Sequence, residues 1–370
     1  MSDIATFDHL IIGGGIIGLT IARELHRRGE RSIAVVDQST IGTEASWAAA
    51  GMLAPNIEAQ RTSAFCRICN DSLALYPAFI SELQAETDVR VELNTNGIIC
   101  LSFNEDPPAS VESGQPLSSD AIRHLEPHIS PNVRDGILFP NEGHVNNRAL
   151  LNALRRYAEL NNIRIIENTQ TSEILSDNGR AQGAAGPATS FRSATTIVAT
   201  GAWSSLITIS GQHLPFQIKP VKGQMIALNS SGIDLSHVIY SPRGYLVPRS
   251  ADRILVGATV ENTGFDKSST PDAAREIHAA AAEIIPDLAH VKIVDQWAGL
   301  RPHAPNGTPI IGPVPDVENL YLAAGHFRNG ILLAPLTAAY IADDVQGKTP
   351  GSERSRFLPE RTSQAKTVNI

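Results

Sequence analysis

Only three of the 370 residues are cysteine, Cys66, Cys69 and Cys100, an odd number with no leader-like start, which argues against a disulfide framework. A reducing compartment, the cytoplasm, is expected. Basic residues are outnumbered, 30 against 38 acidic ones, and the net charge of −8 provides no global positive field for nucleic acid, which is excluded as a partner. The longest apolar stretch near the start, Leu10 to Ala22, is interrupted by four glycines and preceded by Asp3 and Asp8 rather than by basic residues. It is neither a signal peptide nor a membrane span, which would need about 20 apolar residues. Aromatics are sparse at 5%, which decides nothing, and no internal repeat is visible. Against these absences stand 42% hydrophobic and 18% charged residues, ordinary globular usage that rules out disorder over most of the chain. At roughly 150 residues per domain the length suggests two or three domains.

Phe7 to Ile12, the glycines that follow, Ile16 to Gly29 and Ser32 to Val36 read as strand, turn, helix and strand. Apolar periodicity predicts further helices over Ser63 to Glu86 and Arg148 to Leu160, the latter running into a strand at Ile163 to Ile166. A strand pair is expected to flank the turn-rich segment Asp177 to Ser190, and Thr196 to Thr200 reads as a strand ending at Gly201. Alternation at Met225 to Leu228, Tyr245 to Pro248 and Ile254 to Ala258 predicts antiparallel strands in a separate layer. Leu320 to Ala323 predicts a last strand, followed by a helix to about Val345. Asn104 to Ser119 reads as an excursion loop and the chain after Gly347 as a loosely ordered polar tail.

Gly13, Gly15 and Gly18 form G-x-G-x-x-G between the first strand and helix. The first glycine permits the tight turn, the second lets a pyrophosphate approach the backbone, and the third lets helix and strand pack closely. Asp37 closes the second strand nineteen residues after Gly18, where an acid accepts hydrogen bonds from a ribose without a 2′-phosphate. Dinucleotide binding is expected. The small-residue run Thr43 to Met52 suits either backbone lining a flat ring, with Ser46 meeting the pyrophosphate, or a small-residue helix packed on the sheet. Gly325 and Gly330 bracket His326, Phe327, Arg328 and Asn329 just before the last helix, which Pro335 tolerates if the helix begins within a residue or two of it. A helix N-terminus there would favour negative charge on a bound ring, and Arg328 at that start would oppose the dipole unless it had a buried role. Arg301, held extended by Pro302, offers a planar guanidinium for a carboxylate or for an ion pair. Cys66 and Cys69 form a lone C-x-x-C without a second half; helical thiols are the better reading and no metal site is expected.

Together, Ile11 to Gly18 with Asp37, Glu44 to Leu53, ATGAWS at 199–204, PVKGQM at 220–225, YLVPR at 245–249, AGLRP at 298–302 and AGHFRNGILLAP at 324–335 resemble the D-amino-acid oxidase family of FAD enzymes, most nearly its glycine oxidase branch in thiamine biosynthesis. The resemblance implies an α/β fold, a Rossmann-like FAD-binding domain (1–89, 146–214 and 299–346) with an inserted antiparallel α+β substrate domain (90–145 and 215–298) and a polar tail at 347–370. It implies contacts to FAD from Gly13, Gly15, Ile16, Ile17, Gly18, Asp37, Gln38, Thr43, Glu44, Ser46, Ala49, Ala50, Gly51, Met52, Thr171, Thr200, Gly201, Trp203, Gly325, His326, Phe327, Arg328, Asn329, Gly330, Ile331 and Leu332. The FAD would be non-covalent, because no cysteine follows Cys100, whereas the related sarcosine oxidases attach the flavin through a late cysteine. Arg301 would bind the substrate carboxylate, supported by Tyr245 and Arg328; the lesser alternative for Tyr245 is a strand residue of the core. Val260 stands where glycine oxidases have a longer methionine, implying a wider pocket. The implied activity is oxidation of glycine, sarcosine or a small D-amino acid, with oxygen as acceptor. The alternatives are a dehydrogenase passing electrons to a quinone or protein, and a non-catalytic FAD-binding protein. A homo-oligomer is left open.

Overall fold

The computed structural model describes residues 5–58, 63–106, 114–230, 232–250, 252–352 and 354–359. Its N-terminal unit is β1 (Ala5–Ile12), α1 (Ile16–Arg27) and β2 (Ile33–Val36), with the two strands parallel and in register from His9 opposite Ile33 to Ile12 opposite Val36. Both faces of these strands are covered, which is why they read as unbroken apolar runs. Ile11, Ile33 and Val35 pack on the helical layer, whereas Leu10, Ile12, Ala34 and Val36 enter a second core on the opposite face. Strand Ser190–Val198 lies parallel to β1, and strand Leu320–Ala324 lies parallel to Ser190–Val198, so chain from both ends and the middle builds one ten-stranded sheet. The carboxyl ends of these parallel strands converge on the glycine loop.

The second sheet has eight strands in the order Ile293–His303, Lys219–Asn229, Arg253–Gly257, Gly244–Arg249, Val238–Ser241, Ile98–Phe103, Val133–Phe139 and Gln115–Ser118. It is antiparallel except where Val238–Ser241 pairs parallel with Ile98–Phe103. Helix Pro271–Ile284, capped by the Thr270 hydroxyl, covers one face. The other face presents Met225, Val247, Leu255 and Trp297 to the small residues Ala48, Ala50 and Ala54. Strand Ile293–His303 runs through residue 299 and belongs to this sheet along its whole length.

Four expectations need correction. Gln115–Ser118, read as part of an excursion loop, is an edge strand paired with Val133–Phe139, because backbone pairing outweighs a polar composition; residues 107–113 lie outside the described residues. Asp177 to Ser190 is not one turn: Arg180–Ala185 pairs with Glu173–Asp177 across Asn178 and Gly179, both at positive φ, the two-residue hairpin turn that Asn-Gly favours. The tail is not wholly loose, since Phe357 is 3% exposed against Phe65 and Arg354 pairs with Asp344; residues 360–370 lie outside the described residues.

The fourth correction concerns the last helix, which starts at Gly330, five residues before Pro335. A proline inside a helix removes the donor that would serve the carbonyl four residues earlier, here that of Ile331. Helix Ala64–Thr87 supplies the replacement: the buried Tyr76 hydroxyl donates to the Ile331 carbonyl, and Ser72 Oγ donates to that of Leu332 at 2.6 Å. Tyr76→Phe is therefore expected to lower stability by about 1–3 kcal/mol, the cost of a buried acceptor left without a donor. Pro335→Ala restores the helical donor, so in that background the same substitution should cost distinctly less in urea unfolding. Equal costs in both backgrounds would sink this account.

Candidate active site

The three motif glycines do separate things. At Gly13 (φ +109°) a Cβ would lie 2.3 Å from the Ala199 carbonyl oxygen, and at Gly18 1.9 Å from that of Gly13, so both serve close packing of strand, turn and helix. At Gly15 the nearest atom would be Ser46 Oγ at 3.2 Å, and the space beyond belongs to a cavity. Ser46 Oγ accepts the Ile16 amide at 2.9 Å, at the N-terminus of α1. Asp37 Oδ2 accepts the Gly14 amide at 2.7 Å and Oδ1 that of Ser39 at 2.8 Å. Oδ1 also accepts the Ser39 hydroxyl at 3.0 Å, so it is Oδ2 that keeps acceptor capacity for a ribose hydroxyl.

The cavity and its open mouth together hold about 1190 Å³ of empty space. Its walls carry Gly13, Gly15, Ile16, Ile17, Asp37, Gln38, Glu44, Ser46, Ala49, Thr171, Thr200, Gly201, Trp203, His326, Phe327, Arg328, Gly330 and Ile331, the residues expected from sequence. A second chamber of about 770 Å³ adjoins it, sharing Ala45, Ala49, Phe327, Arg328 and Ile331. Expected residues Ala50, Gly51, Met52, Tyr245, Arg301 and Asn329 line this second chamber. Gly18, Thr43, Gly325 and Leu332 line neither: Thr43 is exposed, its hydroxyl on the Thr40 carbonyl at 2.7 Å, Leu332 is buried, and Gly325 (φ +77°) turns the chain beside Ala304. Val260 is likewise not brought to the site; it is 57% exposed and lines neither cavity.

Arg301 is positioned by glycines that sequence reasoning passed over. It stands on strand Ile293–His303, opposite Val221 of Lys219–Asn229, and its guanidinium lies over Gly223, where a Cβ would be 2.0 Å from Nη1. Its Nη1 donates to the Thr259 carbonyl at 3.1 Å. Tyr245 pairs across strands with Gly257, whose missing side chain makes room for the ring, and its hydroxyl donates to Met225 Sδ at 3.6 Å. PVKGQM carried the signal for Gly223, but its meaning depends on a strand some 80 residues away. Gly223→Ala is expected to push the guanidinium aside and raise KM for a carboxylate substrate at least about tenfold, with FAD content unchanged. An unaltered KM would remove Gly223 from the site.

Arg249, noted in sequence only as part of YLVPR, is also engaged here. Its guanidinium donates to the carbonyls of Ala50 and Val145 and meets His144 Nδ1, fixing the Ala50–Gly51 turn. Burial lowers Arg249 to about 10, and burial beside Arg249 pushes His144 down to about 3, so His144 is neutral at pH 7. His326 is also pushed to about 3 by burial, its Nε2 3.0 Å from Thr337 Oγ1. Phe327 adopts φ +50°, unusual for a non-glycine, with its ring edge-on to His303. Among the described residues no group of three or more His, Cys, Asp or Glu is arranged to hold a metal, and no helix is long and apolar enough to cross a membrane.

The model of the DAO family, FAD dependent oxidoreductase, matches residues 8–344. The chain belongs to this family. It is 33% identical to a glycine oxidase of Pseudomonas aeruginosa over 95% of this chain and 98% of that protein. It is 31% identical to a glycine oxidase of Bacillus subtilis, over 92% and 94% of the two chains. The crystal structure of glycine oxidase from Geobacillus kaustophilus matches with a TM-score of 0.89 at 29% identity, covering 96% of this chain and 98% of that one. The protein is therefore an FAD-dependent oxidoreductase. Its residues fit the cofactor: Gly15 leaves backbone open to a pyrophosphate, Asp37 keeps Oδ2 for a ribose, and helices α1 and Gly330–Val345 start at the cavity wall.

Proposed function

We propose that this family member oxidises glycine or a similar small amine, sarcosine or a small D-amino acid, at the carbon bearing nitrogen. With glycine, oxygen and water the products are glyoxylate, ammonia and hydrogen peroxide. One observation carries this reading: a guanidinium laid flat on Gly223 faces a chamber of small residues that opens into the cofactor cavity. Bound FAD supplies the redox chemistry, taking two electrons from the substrate and passing them to oxygen. Arg301 grips the carboxylate through its planar edge, and Tyr245 and Arg328 stand around the same chamber. Burial keeps His326 neutral beside the cofactor cavity, and a substrate amine that enters neutral needs no dedicated base.

In this reading residues 1–89, 146–214 and the chain from 304 to 346 form the cofactor-binding unit, and 90–145 with 215–303 the substrate unit, because strand Ile293–His303 stays in the second sheet to its end and the boundary expected at 299 falls inside it. No two of Cys66, Cys69 and Cys100 are joined in a disulfide, which supports a reducing, cytoplasmic setting. None of them lines either cavity, so FAD is expected to leave intact on acid denaturation. Flavin that stays with the precipitated chain would contradict non-covalent binding. Peroxide measured against substrate consumed tests the oxidase reading: one peroxide per amine supports it, whereas turnover that needs a quinone or protein acceptor favours a dehydrogenase.

A further inference from the structure

Residues 258–270 connect strand Arg253–Gly257 to helix Pro271–Ile284 without forming a strand or helix. Near its start the backbone is paired, Glu261 and Lys222 exchanging amide-to-carbonyl bonds at 2.9 Å, while residues 262–269 lie beyond that pairing and would ordinarily be freer to move. Here three consecutive side chains tie it down in three directions. Phe265 stacks on Trp203, with ring centroids 5.7 Å apart. Lys267 Nζ reaches both oxygens of Glu44, at 2.8 and 3.0 Å, and lies 5.9 Å from the Trp203 ring centre. Between them Asp266 meets Lys222 Nζ at 2.8 Å.

Glu44 and Trp203 both line the cofactor cavity, one after the glycine loop and one after strand Ser190–Val198. The segment is therefore fastened to two separate stretches of the cavity wall. On its own the half-exposed Lys267–Glu44 pair would contribute little. Lys222 changes that balance: its side chain is 2% exposed, and the carboxylates it meets, Asp266 and Glu261 at 3.7 Å, both come from this segment. A buried ammonium is strongly unfavourable without its partners, so the segment is held where it lies by a charge that has nowhere else to go. Gln224, two residues along the same strand, adds Nε2 to Glu261 at 2.9 Å and accepts the Thr270 amide at 2.7 Å.

We infer that residues 261–267 are a strap that retains FAD, anchored at its centre by Lys222 and latched on the cavity wall by Phe265 and Lys267. The inference rests on the family's cofactor and not on the identity of the substrate. Lys267 also offsets the charge of Glu44 on a wall that must accept the diphosphate of FAD.

The test is the rate at which FAD leaves the holoenzyme on large dilution, followed by the rise in flavin fluorescence and by the holoprotein left after desalting. Lys222→Met keeps the apolar stem and removes the anchor, and should speed FAD release by about tenfold or more. Phe265→Ser with Lys267→Ser removes the latch at two half-exposed positions, so the fold survives, and should speed release several-fold. Exchanging the latch charges, Glu44→Lys with Lys267→Glu, should recover part of what Lys267→Glu alone loses. Release rates unchanged in both the Lys222 and the Phe265/Lys267 variants would overturn the strap. So would a lowered apoprotein Tm in those variants with unchanged release, since that would make the segment a staple between units with no hold on the cofactor.

Discussion

Arg301→Lys should lower kcat/KM for glycine or sarcosine by roughly thirtyfold to several thousandfold while FAD content stays at the parental level. The range follows from the about 2–5 kcal/mol lost when one partner of a buried, hydrogen-bonded charge pair is removed. Lysine keeps the charge but not the planar fork, and its ammonium cannot lie over Gly223, give one arm to the Thr259 carbonyl and keep the other for a carboxylate. KM should rise, and kcat should fall as well, because a carboxylate held by a single contact no longer fixes the reacting carbon. An amine without a carboxylate should be a poor substrate of the parent and almost indifferent to the substitution. Equal losses on both substrates would show that Arg301 supports the fold or the cofactor, and Arg328 would become the candidate anchor.

Gly15→Val should abolish retention of FAD through purification, weakening binding by at least about a hundredfold. The neighbouring motif glycines could not serve for this test, because a Cβ at Gly13 or Gly18 collides with backbone and would disturb the fold itself. At Gly15 the Cβ meets only the end of the Ser46 side chain, at 3.2 Å, a tight contact relieved by a few tenths of an ångström rather than a collision with backbone, and the valine's branches occupy the space a pyrophosphate needs. The expected result is a folded, colourless protein with a Tm close to that of wild-type apoprotein. A yellow variant with full flavin occupancy would remove the pyrophosphate from this loop.

The parts of the molecule legible in sequence are those whose cause is local. The glycine turn, the amphipathic face of α1 and the acid at Asp37 lie within 33 residues of one another, and each has its own spacing rule, so the first unit appears in the structure to within a residue or two. The Asn178-Gly179 hairpin is equally local, since the dipeptide is itself a two-residue turn signal. The rest depends on partners far along the chain. The helix start at Gly330 is set by hydroxyls of Ser72 and Tyr76, about 260 residues earlier, which serve the carbonyls around Pro335. Gly223 and Gly299 look like ordinary strand glycines until the register sets them opposite one another beneath Arg301 and Ala48. Val260 shows the converse: its place in a motif points to the pocket, yet the segment that carries it leaves it largely in solvent.

The central claim is that the Arg301 chamber delivers a small amino acid to the FAD of this protein. Anaerobic mixing of the holoenzyme with glycine, sarcosine and D-alanine, followed by admission of oxygen, tests it most directly. The account predicts that the oxidised flavin band is bleached by at least one of the three at a rate that saturates with substrate. It also predicts that a simple carboxylate such as glycolate competes for the site, and that oxygen restores the band with one hydrogen peroxide per flavin. A flavin that stays oxidised with all three amines, in a protein whose FAD is fully bound and reducible by dithionite, would contradict it.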